Sequence, residues 1–571
     1  MSLDSEMKFN NLKEMLEKSG KKYADRPLFY LEGKGLEDSK IMTHKEFRDN
    51  INYLGTALIE MGLKNKKIAV ISENRYEWEE AYLAIVCGTG IVVPLDKALP
   101  ENEIETSIIR AEVEAIFYSE KYSEIMSKIQ KNGNTKIKYF ISMDLEKSDF
   151  NKYSQKEIIQ KGKELLENGN REFIDSKINN EEMAIMLFTS GTTNMSKAVM
   201  LSHKNICTNI IDISECFDVT CEDRMLSFLP LHHTFECTVG FLYPVSVGCS
   251  IIFSKGVRHI GDEMKNFKIT AMISVPIMLE KIYEKIIKGI EKKGKLETVK
   301  KGVKISNALK IVGIDIKKKL FKEIHDNLGG CLRLVVAGGA ALDPKVQKGF
   351  NDLGLNVAQG YGLTETSPVV SAEFTKKKKI GSIGKKMPSV EVKIDEPDAE
   401  GVGELLVKGD SVMLGYFNND EANAESFTED GWFRTGDLAK IDKDGYIYIS
   451  GRKKFVIVLK NGKNVYPEEI ETLINKLELV TESMVYGKLE DDGDITISAK
   501  VVYNEDYIKE KFGEIDEKEI YDIIWKEIKE INKTMPKYKY VKNLIITNEE
   551  MVKTTTLKIK RKVEMEKISK M

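Results

Sequence analysis

The feature that most constrains the fold is an alternation of short β-branched runs with amphipathic segments. Residues 67–71 and 90–95 have the composition of buried strands, and residues 78–87 between them have that of a helix. A second helical segment, 101–110, precedes a further strand-like run at 113–118. This β-α-β-α-β order favours a largely parallel sheet covered by helices, because parallel strands need long crossover connections.

The same alternation returns later in the chain. Residues 271–274 and 332–336 have strand composition. The stretch between them, 276–328, is rich in lysine and carries apolar residues at helical spacing. It predicts a helical excursion on the surface of the protein.

A change in the local sequence pattern indicates the domain organisation. From 384 to 449, short strand-like runs alternate with Gly and Asp turns, which predicts a β-rich subdomain. After Gly451 the chain resumes an α/β pattern. We therefore predict an α/β fold in which a large N-terminal domain, 1–451, has parallel-rich β-sheets covered by helices, plus the β-rich subdomain. A small, mobile α/β C-terminal domain, 452–571, has an ordinary domain size.

Composition excludes several classes of protein. A chain of 571 residues, 42% of them hydrophobic, can bury the cores of two or more domains. Its 87 basic and 90 acidic residues give a net charge of −3, and both signs are interspersed. A nucleic-acid-binding protein is therefore not expected.

Location is inferred from the chain start, the apolar runs and the cysteines. The first residues lack the basic and apolar regions of a signal peptide. The longest uncharged run, 237–254, contains Gly and Pro, so we interpret it as buried strand and helix rather than a membrane span. The seven cysteines form no Cys-x-x-Cys pair, which is typical of free, buried thiols. A cytoplasmic enzyme is expected.

A short loop rich in hydroxyl groups follows the strand-like run 184–188. Its candidate phosphate-binding residues are Thr189, Ser190, Gly191, Thr192, Thr193 and Lys197. Backbone and hydroxyl donors can surround phosphate oxygens while a lysine neutralises their charge. Composition alone leaves a phosphate site and a solvated turn both open. The loop is not a P-loop, because Ser196 stands where the second glycine belongs and Ala198 where the Mg²⁺-binding hydroxyl belongs.

Further motifs follow this loop in a specific order. They are Gly338-Gly339-Ala340, Gln359-Gly360-Tyr361-Gly362-Leu363-Thr364-Glu365-Thr366, Thr435-Gly436-Asp437, Gly451-Arg452-Lys453-Lys454, and the run from Lys553 through Lys558 to Arg561. Each motif is weak alone, but in this order and at these spacings the chain resembles the AMP-binding, adenylate-forming superfamily. That superfamily includes acyl-CoA synthetases, luciferases and the adenylation domains of peptide synthetases.

The resemblance implies how the chain would bind ATP. The hydroxyl-rich loop would cover the phosphates, and Thr189 and Glu365 would hold Mg²⁺, which prefers oxygen ligands. Tyr361 would lie against the adenine ring. The rest of the implied nucleotide-binding set is Gly339, Ala340, Gln359, Gly360, Gly362, Thr364, Asp437 and Arg452. Asp437 would accept hydrogen bonds from the ribose, and Arg452 would reach the ribose and phosphates.

The resemblance also implies the chemistry. His233, in Pro230-Leu231-His232-His233, would lie beside the pocket for the acid; without this context a core histidine would be the better interpretation. Lys558 would bridge the attacking carboxylate and the α-phosphate and stabilise the charge that develops. The C-terminal domain would then rotate about Lys454 and bring the Gly462 loop toward a thiol.

Several positions depart from the family pattern. Asn194, Ser196 and Ala198 stand where the family usually has Gly, Pro and Gly. Leu557 replaces the glycine before Lys558, and Val552 replaces a proline. These changes alter backbone freedom and leave every charged and hydroxyl role filled, so they bear on rate and not on reaction class.

The substrate is inferred from the segment 359–368, which is most similar to bacterial long-chain fatty-acid–CoA ligases. A fatty chain needs an apolar tunnel. Residues that either line one or belong to an ordinary core are Phe235, Val239, Phe241, Leu242 and Tyr243. Only thirteen residues follow Lys558, so the acceptor thiol is expected to come from outside, as coenzyme A. The resemblance leaves open a peripheral association with membranes and a homodimer.

Four other functions stay open. A ligase that transfers the acyl group to an acyl carrier protein, or an adenylating ligase for another carboxylic acid, would share every motif. A P-loop NTPase or kinase is disfavoured by the missing Walker glycine and hydroxyl. A non-catalytic binding protein on the same fold is compatible with the departures in the loop.

Overall fold

A computed structural model describes residues 7–149, 151–189, 196–374, 378–460, 463–490, 495–553 and 559–570. These residues form two compact units. The first contains the described residues of Met1–Gly191, Ser196–Glu391 and Val407–Phe433. The second contains those of Val392–Leu406 and Arg434–Met571.

The strands are short, and most of them are apolar. In chain order they are β1 (Pro27–Leu31), β2 (Lys40–Thr43), β3 (Lys66–Ile71), β4 (Gly90–Pro94), β5 (Ala115–Tyr118), β6 (Tyr139–Ser142), β7 (Tyr153–Ser154), β8 (Met183–Thr189), β9 (Lys197–Ser202), β10 (Arg224–Ser227), β11 (Ser250–Phe253), β12 (Ala271–Ser274), β13 (Leu334–Ala337), β14 (Val357–Gly362), β15 (Val369–Ala372), β16 (Lys385–Lys386), β17 (Val390–Asp395), β18 (Gly403–Gly409), β19 (Gly415–Tyr416), β20 (Phe433–Ile441), β21 (Ile447–Arg452), β22 (Ile457–Val458), β23 (Asn464–Val465), β24 (Val480–Leu489), β25 (Ile495–Tyr503) and β26 (Asn543–Thr547).

The helices lie between these strands. They are α1 (Leu12–Lys22), α2 (His44–Glu60), α3 (Tyr76–Ala84), α4 (Glu101–Ala111), α5 (Ser123–Asn132), α6 (Gln155–Glu167), α7 (His203–Cys216), α8 (Tyr243–Val247), α9 (Ile260–Asn266), α10 (Pro276–Lys292), α11 (Leu296–Ile311), α12 (Lys317–Leu320), α13 (Lys322–Asn327), α14 (Pro344–Asp352), α15 (Asp420–Ser426), α16 (Pro467–Ile474), α17 (Glu505–Phe512), α18 (Glu517–Lys533) and α19 (Arg561–Ile568). Two π-helical segments, Ile85–Thr89 and Phe235–Leu242, precede β4 and α8.

One sheet of the first unit has, among the described residues, eight strands in the order β19-β9-β8-β4-β3-β5-β6-β7. The strands from β8 through β4 and β3 to β7 pair in parallel, whereas β9 pairs antiparallel with both β8 and β19. Ile71, Val93 and Ile116 of this sheet are buried against Ile104 and Ile108 of α4. The β-α-β arrangement predicted from residues 67–118 is therefore confirmed.

The other large sheet of this unit has the order β16-β15-β14-β13-β12-β10-β11-β1-β2, again counted over the described chain. Its centre, from β14 to β1, is parallel, and antiparallel strands close both edges. The lysine-rich stretch between β12 and β13 forms α10 to α13, as predicted. Parallel strands end at the same edge of a sheet, and that edge is the usual place for a ligand site in such folds.

The second unit contains smaller sheets. Most residues of the sheet with the strand order β17-β18-β20-β21 belong to this unit. Another sheet has the order β24-β25-β26, in which β24 and β25 are antiparallel and β25 and β26 are parallel. Ile470, Ile524 and Ile528 of helices α16 and α18 pack on Val485 and Val501 of the second sheet. A β-rich part and a separate α/β part are thus both present. The boundary at 451/452 stays a prediction.

The uncharged run 237–254 forms the end of a π-helical segment, α8 and β11, and it is almost entirely buried. This agrees with its interpretation as core. Across the described parts of the chain, no helix is both long enough and apolar enough to span a membrane. All seven cysteines are free thiols.

Candidate active site

The predicted phosphate loop connects two antiparallel strands. Thr189 ends β8 and pairs with Lys197, which begins β9. The Thr189 hydroxyl donates a hydrogen bond to the Lys197 carbonyl at 3.4 Å. Outside the described residues lie Ser190, Gly191, Thr192, Thr193 and Asn194. Both ends of the loop are thus held by the sheet, and the phosphate role of the loop stays a prediction.

Tyr416, which no sequence motif singled out, connects Lys197 to Glu365. It lies on β19 beside β9, and the Lys197 ammonium nitrogen is 4.6 Å from the centre of its ring. Its hydroxyl donates a hydrogen bond to Glu365 Oε1 at 2.9 Å. The Met413 amide donates to the Glu365 carbonyl at 2.8 Å. The structure therefore brings a predicted phosphate-binding lysine and a predicted Mg²⁺ ligand onto one aromatic side chain.

Arg110 holds the far end of the loop. From α4, its Nη1 donates to the Ser196 hydroxyl at 3.2 Å and its Nη2 donates to the Ser196 carbonyl at 2.8 Å. The guanidinium also lies 5.3 Å from the centre of the Phe188 ring. A proline at position 196 would have no hydroxyl, so the departure from the family pattern supplies a hydrogen bond that proline cannot make. In this chain a side-chain contact restrains the end of the loop.

Thr189 and Glu365 offer a donor set that fits Mg²⁺. Both residues are partly exposed and both carry side-chain oxygen. Mg²⁺ prefers oxygen ligands and keeps several of its waters, so partial exposure suits it better than an enclosed cage. These two residues would hold the ion, which would supply positive charge to the phosphates. Their role as metal ligands stays a prediction.

The second glycine loop and the end of β14 form the predicted adenine side. Gly339 has a left-handed φ of 86°, and both Gly339 and Ala340 are exposed. β14 ends in Gly360, Tyr361 and Gly362. A Cβ atom at Gly362 would lie 1.8 Å from the Pro368 carbonyl oxygen, so only glycine fits there. Tyr361 is half-buried beside this constriction.

Gln359 ties these two parts together. Its side-chain oxygen accepts a hydrogen bond from the Leu342 amide at 2.9 Å, which connects the glycine loop to β14. The backbone amide of Gln359 donates a hydrogen bond to the buried Glu373 carboxylate at 3.0 Å. The Gln347 side chain donates to the same Glu373 oxygen. Gln359 is itself buried and positions the strand through these contacts, and its predicted role in nucleotide binding stays a prediction.

The predicted acid-pocket histidine belongs to a cluster of three side chains. The rings of His233 and His232 have centres 4.2 Å apart, and His232 Nε2 is 3.2 Å from Asp96 Oδ1. One ligand atom from each of the three residues lies within 4.8 Å of the others. Two imidazoles and a carboxylate suit zinc better than Mg²⁺. The neighbouring Thr234 hydroxyl donates to the Thr364 hydroxyl at 3.4 Å, which connects this cluster to the Glu365 segment.

An apolar cavity of about 10 Å³ adjoins His232. Its apolar wall contains Tyr82, Pro94, Ile185, Leu187, Ile206 and Cys237. This volume admits roughly one water molecule, so a fatty chain would require the wall to open. The tunnel residues proposed from sequence, 235, 239 and 241–243, are not among those that line it.

Val239 and residues 241–243 instead pack into the core, whereas Phe235 is partly exposed and its ring lies beside Gly338. The Phe241 and Tyr82 rings make an edge contact with centres 6.1 Å apart, and the Tyr243 hydroxyl donates to the Phe217 carbonyl at 3.0 Å. Phe235 to Leu242 belong to the π-helical segment, and Tyr243 begins α8.

Buried carboxyl groups adjoin the same segment. The Ser227 hydroxyl donates to Glu236 Oε1 at 2.5 Å, and burial raises the pKa of Glu236 to about 8. Burial, together with nearby Glu236, also raises the pKa of Glu79 well above its usual range. Burial raises the pKa of Glu80 to about 8. Burial therefore favours the protonated form of each of these carboxyl groups.

In the second unit, Asp437 and Arg452 face each other on β20 and β21. The Arg452 Nε atom lies 2.7 Å from Asp437 Oδ1, and the Asp437 side chain is 5% exposed. The guanidinium stabilises the carboxylate and fixes its orientation. Two residues predicted to bind the ribose and phosphates are therefore in direct contact.

The segment that flanks the predicted catalytic lysine is anchored on both sides. Outside the described residues lie Lys558 and Gly462. Lys553 pairs antiparallel with Ile559, and its ammonium nitrogen is 2.9 Å from a Glu482 oxygen. Arg561 pairs with Glu471. The catalytic role of Lys558 stays a prediction.

Comparison with protein families identifies two regions of the chain. The AMP-binding enzyme family model matches residues 16–417. The model of the AMP-binding enzyme C-terminal domain matches residues 454–570. The resemblance drawn from the order of the motifs is thus confirmed.

Individual relatives extend this result. Fatty acyl-CoA synthetase B of Dictyostelium discoideum is 30% identical over 514 residues, which cover 83% of this chain and 75% of that protein. A chloroplastic long-chain-fatty-acid–[acyl-carrier-protein] ligase of Arabidopsis thaliana is 26% identical over 518 residues, covering 78% and 71%. The crystal structure of ATP-bound MatB from Rhodopseudomonas palustris superposes with a TM-score of 0.76 at 23% identity, covering 98% of this chain and 99% of that one. The last comparison confirms the predicted fold.

Proposed function

The chain belongs to the family of AMP-binding enzymes, and we propose that it is an AMP-forming long-chain fatty-acid–CoA ligase. In the first half-reaction, a fatty-acid carboxylate attacks the α-phosphorus of ATP, giving acyl-AMP and pyrophosphate. In the second, the thiol of coenzyme A attacks the acyl carbon, giving acyl-CoA and AMP. The thiol proton leaves to solvent.

The observation that carries this proposal is the Lys197–Tyr416–Glu365 cluster at the base of the phosphate loop. Lys197 supplies positive charge to the departing pyrophosphate, and Glu365 with Thr189 would hold Mg²⁺, which would supply further positive charge. Tyr416 fixes the spacing between Lys197 and Glu365 through its ring and its hydroxyl. A phosphate-handling centre of this kind suits nucleotidyl transfer.

The proposed chemistry needs no general base. A fatty-acid carboxylate is already ionised at pH 7, so it is a competent nucleophile once it is aligned with the α-phosphorus. Lys558 stabilises the charge of that displacement. Tyr361 lies against the adenine ring, while Asp437 and Arg452 bind the ribose and phosphates.

A fatty acid is the proposed substrate for two reasons. The relative from Dictyostelium discoideum is named as a fatty acyl-CoA synthetase and is similar over most of the chain. In addition, apolar side chains form most of the wall of the cavity beside His232, and a hydrocarbon chain can replace their mutual contacts.

The test is acid-dependent exchange of labelled pyrophosphate into ATP, measured with saturated fatty acids of increasing length from acetate upward. We expect exchange only when acid is present, with kcat/KM rising toward long chains, because each buried CH₂ group contributes about 0.8 kcal/mol. A maximum at acetate, or with an aromatic acid, would overturn the fatty-acid assignment while retaining adenylation. No exchange with any acid would overturn both.

A ligase for an acyl carrier protein is the second candidate. It is favoured by the similarity to the chloroplastic ligase, whose name specifies that acceptor. Thioester formation from the same acid, measured with coenzyme A and separately with phosphopantetheinylated carrier protein, distinguishes the two. We expect coenzyme A to be the better acceptor.

A further inference from the structure

The segment 292–322, hereafter the lysine-rich tip, exposes an unusual group of apolar side chains. It contains α11, the turn after it and α12. Its exposed large apolar residues, with their exposed fractions, are Ile305 (58%), Ile311 (88%), Val312 (70%), Ile314 (52%) and Leu320 (46%). Monomeric proteins rarely expose contiguous apolar side chains without a partner for them.

The same segment is strongly basic. It contains eleven lysines and two acidic residues, a net charge of +9 in a chain whose net charge is −3. Ten of the eleven lysines are exposed. Evenly mixed charge, expected from composition, is therefore wrong for this segment. The rest of the chain is acidic.

Two side-chain contacts attach the lysine-rich tip to the rest of the first unit. Lys317 is buried, and its ammonium group donates to the Asn351 carbonyl at 2.9 Å. Asn307 of α11 donates to Asp352 Oδ1 at 2.9 Å. Both contacts are to α14, which anchors the tip to the rest of the first unit. The five aliphatic side chains named above and the other ten lysines are exposed.

We propose that the lysine-rich tip is a docking surface for the anionic phospholipid bilayer. Aliphatic side chains gain free energy by entering the boundary between headgroups and acyl chains. Lysines around them are attracted to anionic headgroups at the same depth. Ile311 and Val312, at the end of α11, are the most exposed of these side chains and are expected to enter first.

The shape and composition of the tip favour a membrane over a protein partner. Interfaces between proteins are enriched in aromatic residues and arginine and depleted in lysine, whereas the tip contains eleven lysines, one phenylalanine and no arginine. For the proposed function, docking would bring the acyl pocket to the phase in which long-chain fatty acids dissolve. The docking itself does not depend on that function.

The test is co-sedimentation of the full-length protein with vesicles of phosphatidylcholine alone or with about 30% phosphatidylglycerol. We expect binding to the anionic vesicles that weakens steeply with salt, because the lysine contribution is screened. K301E/K304E/K318E/K319E should lower the partition coefficient about a hundredfold or more, and I311E/V312E at least about tenfold. Circular dichroism and thermal unfolding verify that each variant is folded.

Matched controls carry the same chemical changes elsewhere on the first unit. K161E/K163E reverses two exposed lysines of α6, and V257E places a carboxylate at a residue that is 62% exposed. Both should bind as the wild type does. Wild-type binding that is equal on neutral and anionic vesicles, or tip variants that bind like the controls, would overturn the proposal. Loss of transfer to an acidic carrier protein with unchanged vesicle binding would instead assign the tip to a protein partner.

Discussion

At the scale of single residues, the side chain of Tyr416 makes electrostatic contacts with two other residues. The face of its ring attracts the Lys197 ammonium group, and its hydroxyl donates to the Glu365 carboxylate. In the proposed displacement, Lys197 and Glu365 act on neighbouring phosphates, so their spacing matters. We therefore propose that Tyr416 is a positioning residue for Lys197 and Glu365.

Tyr416→Phe removes the hydroxyl and keeps the ring. A hydrogen bond to a charged group contributes about 1.5–3 kcal/mol, so kcat/KM for Mg·ATP in pyrophosphate exchange should fall about tenfold or more. The Mg²⁺ concentration that gives half-maximal exchange should rise, because Glu365 loses its orientation. Exchange measured across a Mg²⁺ titration checks both expectations.

The matched control is Tyr139→Phe. The Tyr139 hydroxyl donates to the Met61 carbonyl at 2.9 Å in the same unit, away from the site. This variant should lose about 1 kcal/mol of stability and no exchange activity. An unchanged Mg²⁺ dependence in Tyr416→Phe would contradict the positioning role.

At the scale of elements, the loop between β8 and β9 is restrained at both ends. Thr189 and Lys197 pair across the strands, and Arg110 of α4 holds Ser196. A loop with restrained ends loses less conformational entropy when it closes on a ligand.

Arg110→Ala should therefore weaken ATP binding. We expect KM for ATP in pyrophosphate exchange to rise about fivefold to tenfold, with a smaller rise for Ser196→Ala, which keeps the contact to the carbonyl. The double variant should resemble Arg110→Ala, since Arg110→Ala already removes the hydroxyl contact that Ser196→Ala removes. Arg171→Ala, which removes an exposed pair with Asp175, is the control. Additive effects of the two site variants would contradict the shared contact.

The π-helical segment Phe235–Leu242 makes stability depend on pH through Glu236. Burial raises the pKa of this carboxyl from 4.5 to about 8. Between these values the unfolded chain has released the proton that the folded chain keeps. The free energy of unfolding therefore falls as pH rises from about 4.5 to about 8, with a slope approaching about 1.4 kcal/mol per pH unit for one such group.

Glu236→Gln removes this contribution. In denaturant unfolding measured from pH 5 to pH 8, the variant should lose less stability with rising pH than the wild type. Glu79 and Glu80 retain part of the dependence, since burial raises their pKa values too. Exposed Glu164→Gln should leave the profile unchanged. Identical pH profiles for the wild type and Glu236→Gln would contradict the assignment.

At the scale of the whole molecule, local patterns in the sequence predict the parallel-rich sheets, and the motifs can be recognised directly in the sequence. The alternation of strand and helix at 67–118 is a local signal, and so is a glycine loop after a strand. Tyr416, Arg110 and the cavity wall are not local. Tyr416 meets Glu365 across 51 positions, and Arg110 meets Ser196 across 86. Such contacts depend on the packing of whole strands, which composition and periodicity do not encode.

The division of the chain into two units leads to a prediction about Lys558. Lys558→Ala should lose most acyl-adenylate formation and retain thioester formation from acyl-AMP supplied ready-made, because the lysine acts only on the first displacement. Each half-reaction is followed separately by mass spectrometry. Neighbouring exposed Lys560→Ala should retain both. Equal loss of both half-reactions would contradict this role.

The central claim is that the protein transfers the adenylyl group of ATP to a carboxylate. Rapid mixing with ATP, Mg²⁺ and a long-chain fatty acid, without any thiol, tests this most directly. The predicted result is a burst of one pyrophosphate per active site, with acyl-AMP retained on the protein and no ADP. Release of ADP and inorganic phosphate would contradict the claim, and so would a rate of ATP consumption that does not depend on the fatty acid.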